Sequence, residues 1–127
     1  MPQYPFQSSE TYTPDRLIAG ETQLVTRSYV LLAGQVLERG TIVGMITASG
    51  KLTTSTSAAA DGSQNPFGIL IDHYDSTLGD MAGCGVYLKG EFNENAVILG
   101  TGWTLATIMP GLRDNGIYLK PAVVAGP

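Results

Sequence analysis

The sequence has one cysteine, one histidine and only 14% charged residues among its 127 positions. Each shortage excludes something. A lone Cys84 cannot form an internal disulfide, and it fits synthesis in a reducing compartment such as a cell's cytoplasm. A lone His73 and scattered aspartates lack the paired ligand spacings of zinc sites. Asp72, Asp75 and Asp80 lie close in sequence, but the twelve-residue calcium loop with its terminal bidentate glutamate is absent. No metal or cofactor is expected. The seven basic residues, Arg16, Arg27, Arg39, Lys51, Lys89, Arg113 and Lys120, stand singly in a chain of net charge −4. Without a basic stripe to displace counterions, no nucleic-acid partner is expected. No apolar run approaches the roughly 20 residues that span a bilayer, so no membrane partner is expected. The opening "MPQYPFQSSE" lacks the basic and apolar regions of a secretion signal.

The length fits one domain with its own core. A charge fraction so far below the usual value of about 25% fits either a protein that hides surface in an assembly or one kept in solution by its Ser, Thr, Asn and Gln. Residues 1–20, "MPQYPFQSSETYTPDRLIAG", hold three prolines, several Ser and Thr and little apolar periodicity. Proline removes backbone donors and fixes φ, so this stretch reads as an extended arm. It is either a frayed terminus or a segment that orders on a partner by adding a strand to its sheet. Residues 21–127 form the single body.

In the body, short apolar runs alternate with glycines. "QLVTRSYVLL" (23–32), "GTIVGMIT" (40–47), "GILIDHY" (68–74), "GVYLKGEF" (85–92) and "GIYLKPAVV" (116–124) read as strands. "GILIDHY" reads as a largely buried one. Such spacing predicts a mainly β domain, a small barrel or sandwich. "ASGKL" predicts a tight hairpin turn at Gly50, and Asp61-Gly62 a turn in a polar loop. Gly83, Gly85 and Gly90 suit bulges or close backbone approach. One short helix is expected through 104–116, capped by Thr101 or Thr104, with Leu105, Ile108 and Leu112 on one face. Pro110 opposes an unbroken helix, so the helix should start afresh there or kink.

No active site assembles. A Cys84–His73 pair would need the imidazole within hydrogen-bond reach of the sulfur. Asp72, Asp75 and Ser76 are better explained as strand-end turn residues, and Cys84 as a small buried hydrophobe. Glu91 and Glu94 form the only close Glu pair, and they sit beside an expected turn at 93–95. Trp103 reads as core or interface before it reads as a ligand platform. No catalytic residue is assigned. A carbohydrate-binding β module displayed on a virion, using Trp103, and a small hydrolase, using Cys84 and His73, are the rival readings.

"RGTIVGMITASGKL" (39–52), "DGSQNPFGILIDHYDST" (61–77), "GVYLKGEFNENAV" (85–97) and "GIYLKP" (116–121) occur in an order that resembles the head decoration protein family of tailed phages. The ordered set is a "GT-x-x-G" strand, a "GKL" turn, a "DG…GIL" loop and strand, and a "V-Y-L-x-G-x-F" strand, over roughly residues 30 to 121. The resemblance implies a small β-barrel or sandwich of the β-clip or β-tulip type with a short helix. It implies a homotrimer on the outer surface of the expanded capsid, at three-fold positions, stabilising it against DNA pressure. It also implies an amino-terminal arm that orders against the major capsid protein. By position and composition that role falls to residues 1–20, with Tyr4, Pro5, Phe6, Tyr12 and Thr13 as contacts. The proline- and aromatic-containing arm and the tail "AVVAGP" depart from the family pattern.

Overall fold

The computed structural model describes residues 17–18 and 23–121. Its strands are β1 (Val25–Leu31), β2 (Val36–Leu37), β3 (Ile42–Met45), β4 (Leu52–Thr54), β5 (Pro66–Leu70), β6 (Tyr74–Asp75), β7 (Met81–Asn93) and β8 (Ile117–Lys120); the helix α1 spans Leu105–Asp114. Strands pair in the order β1-β4-β3-β5-β7, and β7 pairs back onto β1 from Val25↔Lys89 to Leu31↔Met81. The five strands thus close a small barrel. β8 continues the sheet, parallel to β7 from Gly90↔Ile117 to Asn93↔Lys120. β2 and β6 form a separate two-stranded ribbon.

Both faces of the wall are covered along β3 and β5, which is why these strands read as apolar runs and not as clean alternation, whereas β1 is exposed over Val25–Ser28. Successive residues on one strand point to opposite faces. Val43, Leu70 and Val86 join Leu31, Leu52 and Cys84 in one buried cluster drawn from all five strands, the barrel interior. Their neighbours Ile42, Ile69 and Tyr87 turn outward and pack with Phe92, Ile117 and the helix residues Ile108 and Leu112. Each such side chain gains about 1.5–3 kcal/mol over its exposed state. Leu17, only 2% exposed, packs into the outer cluster, although it lies on the arm side of residue 20.

The hairpin between β3 and β4 turns where expected. Gly50 has φ 74° and donates its N–H to the Ile46 carbonyl at 2.8 Å. Gly90, at φ 150°, stands where β7 leaves β1 and takes up β8.

Two expectations are corrected. "GILIDHY" is not one strand: β5 ends at Leu70, and Tyr74 belongs to β6. The Asp72 carboxylate accepts the His73 backbone N–H at 2.7 Å, which turns the chain out of the ladder. Of the two alternatives at Pro110, a fresh start or a kink, the fresh start is overturned, because Pro110 lies inside α1. Thr104 caps it in a reciprocal pair with Thr107, the Thr104 N–H donating to Thr107 Oγ1 at 2.9 Å and the Thr107 N–H to Thr104 Oγ1 at 3.3 Å. Ile108 and Leu112 anchor the helix to the barrel. Pro110 and Ala106, whose carbonyl lacks its i+4 donor, are both exposed, so water can serve that carbonyl.

Candidate functional site

The residues with catalytic potential are dispersed. His73 is half-exposed, with Nδ1 3.1 Å from Glu38 Oε2. Cys84 is buried, and its thiol donates to the Met81 carbonyl at 3.4 Å. Burial pushes the Cys84 thiol up, away from the thiolate form a nucleophile needs. The imidazole and the thiol thus have different partners.

The aspartates are turn-makers. Asp75 Oδ1 accepts from the Thr77 hydroxyl at 2.5 Å and the Thr77 N–H at 2.9 Å. Asp61 does the same for Ser63, at 2.5 Å and 3.0 Å. Asp80 pairs with Lys51 Nζ at 2.5 Å and accepts the Ala33 N–H at 2.9 Å. These donors hold all three carboxyls below the usual range, the side-chain donor acting most strongly in each. Among the described residues no group of three or more His, Cys, Asp or Glu is gathered for a metal ion. No described helix is long and apolar enough to cross a membrane.

Glu91 pairs with Lys120 across the β7–β8 ladder at 3.0 Å, and Glu94 follows the end of β7. Trp103 is half-buried and packs on the outer core, its Nε1–H donating to Ser55 Oγ at 3.3 Å. Its ring is therefore a packing element and not an open platform. A shallow open depression beside the β6–β7 loop is lined by Asp75, Thr77, Leu78, Asp80 and Met81, with neither imidazole nor thiol. Leu78 is fully exposed there.

The most informative geometry lies at the end of β7. Phe92 is flanked on both edges, by Leu119 in parallel and by Ile18 in an antiparallel bridge. One step further, the Asn93 N–H donates to the Leu17 carbonyl at 2.7 Å, and the Glu94 N–H donates to the Lys120 carbonyl at 2.9 Å. β8 runs parallel to β7 and the Leu17–Ile18 segment runs antiparallel to it. The described chain therefore enters at Leu17 and leaves at Pro121 at one pole of the barrel. Sequence reasoning missed Leu17 as an anchor. The available signal was the Leu17-Ile18 apolar pair, closing a stretch otherwise rich in Pro, Ser and Thr. The expected arm contacts Tyr4, Pro5, Phe6, Tyr12 and Thr13 lie outside the described residues.

No match is found among curated proteins. A family profile described as bacteriophage lambda head decoration protein D matches residues 6–117, a span that includes all of α1 and every strand up to the first residue of β8. The match covers the whole closed barrel, and the chain belongs to the bacteriophage lambda head decoration protein D family.

Proposed function

We propose that this member of a phage head decoration family cements the head from outside. Trimers sit on the outer surface of the expanded shell and bind the major capsid protein through residues 1–20, with Tyr4, Pro5, Phe6, Tyr12 and Thr13 as contacts. The carrying observation is the pole: the chain enters the barrel at Leu17, held to Asn93, so anything grasped by the preceding residues is tied to the rigid body.

The physics asks for no chemistry. Packaged DNA pushes neighbouring capsomers apart, and a trimer bridging several subunits makes separation break several contacts together. Three arms on one body raise each other's effective concentration, so weak contacts sum to firm attachment. A ligand that binds only the mature lattice stabilises it by about 2.7 kcal/mol at a hundredfold excess over Kd. The low charge fraction and the absence of a basic stripe fit a protein kept away from the genome.

The test is to mix purified protein with undecorated expanded shells and image them. Protrusions at three-fold positions, lost on removal of residues 1–16 from a chain that still folds, support the reading. Bare shells at high protein concentration overturn it.

A further inference from the structure

Asn115-Gly116 is the only Asn-Gly pair in the chain. Such a pair is intrinsically reactive. With no Cβ on glycine to hinder it, the glycine backbone nitrogen can lose its proton and attack Cγ of the preceding side chain. The C–N bond of the side-chain amide breaks and ammonia leaves, giving a five-membered imide. Water then opens the imide at either carbonyl, leaving aspartate or isoaspartate. No oxidant, reductant or second protein takes part.

The structure engages both reacting groups. Asn115 is the C-cap of α1, with φ −98° and ψ 1°. Its Nδ2–H, part of the leaving group, donates to the Pro66 carbonyl at 2.8 Å. The Gly116 N–H, the nucleophile, donates to the Arg113 carbonyl at 2.9 Å, and Gly116 sits at φ 87°. Ring closure brings the Gly116 nitrogen into line with the Cα–Cβ bond of Asn115, so ψ must rotate far from 1°. That rotation breaks the C-terminal turn of α1. It also pulls the helix from Pro66, a buried residue at the start of β5.

We infer that Asn115 is a spontaneous deamidation site that the native fold holds shut, and that it converts only when the last turn of α1 detaches from β5. Conversion then removes the latch itself. An aspartate at position 115 has no N–H for the Pro66 carbonyl, and its charge opposes the helix dipole at that end. An isoaspartate adds a methylene to the main chain just before β8. Each product weakens the closure whose opening admitted the reaction. The inference is independent of capsid binding.

The experiment follows the mass of the peptide carrying residues 115–116 during incubation of the full chain at mildly alkaline pH. Three samples are compared: folded protein, urea-unfolded protein and a synthetic peptide of the same local sequence. The unfolded chain should convert like the peptide. The folded protein should convert at least about tenfold more slowly, the factor a local opening of about 1.4 kcal/mol would give. Equal rates in folded and unfolded chains would overturn the inference. Asn115→Asp should melt at a lower temperature than the parent, and an unchanged melting temperature would overturn the latch. If that variant does not fold, partly converted wild-type protein, separated by its added charge, supplies the same comparison.

Discussion

Gly44 on β3 lies so close to Ser63 that a Cβ at this position would stand 2.0 Å from the Ser63 carbonyl oxygen. The obstacle is backbone, in the loop that the Asp61 carboxylate pins, so it cannot swing aside as a flexible side chain would. The contact falls where the β3–β5 ladder shifts register, between Val43 and Gly44. Gly44→Ala should cost about 1–3 kcal/mol or more through forced backbone movement, read as a lower denaturant midpoint. An unchanged midpoint would show that the loop yields freely.

Leu17 and the residues before it should separate by phenotype. Leu17→Ala removes a buried side chain from the outer core and should cost about 2–4 kcal/mol in chemical denaturation. Deleting residues 1–16 should leave the melting temperature nearly intact while abolishing shell attachment. A deletion that unfolds the body would contradict the division.

Pro110 lies exposed inside α1, where it removes one helical hydrogen bond. Proline costs about 3 kcal/mol against alanine in a helix interior, less about 0.4–1 for the freedom it denies the unfolded chain. Pro110→Ala should therefore stabilise the protein by about 2 kcal/mol. A drop in stability would mean that the ring contributes packing the fold depends on.

Cys84 should behave as an inert core atom. Alkylating reagents should modify it only as the protein unfolds, because burial both blocks access and disfavours the thiolate. Cys84→Ala should cost about 1–2 kcal/mol of stability and leave shell binding unchanged. Rapid labelling of the folded protein would refute this.

Three turn aspartates contribute to the acid limb of stability. Asp61, Asp75 and Asp80 have folded-state pKa values below their unfolded ones, through donors from Ser63, Thr77 and Lys51 respectively. Their contribution is therefore full above the unfolded pKa and is lost as pH falls through the lower, folded one. The melting temperature should hold between pH 7 and about pH 5 and decline below about pH 4. Asp80→Asn should shallow that decline. A melting temperature that rose on acidification would reverse the assignment.

The local signals in the sequence were readable because their causes are local. The Gly50 turn, the Thr104 cap and the inward Ile108 and Leu112 follow from φ preferences, hydroxyl reach and helical spacing, and the structure has them. What could not be read was set by tertiary pairing. Nothing local says that β7 runs unbroken from Met81 to Asn93, serving β1, β5 and β8 in turn. The helix does not start afresh at Pro110 because packing at Ile108 and Leu112 outweighs one lost hydrogen bond. His73 and Cys84 drew attention through their rarity, yet their roles are a surface contact and a packed sulfur. At the pole, Leu17 was obscured by the polar, proline-rich residues around it.

The barrel's closing contact joins an early strand to a late one, Val25 to Lys89 and Leu31 to Met81. A nascent chain cannot make that contact while the later strand is still inside the ribosome, and the parallel β7–β8 ladder waits even longer. Native order therefore waits for long-range loop closure, which slows folding for so small a domain. The interval between translation of β1 and a closed barrel is written into the strand order.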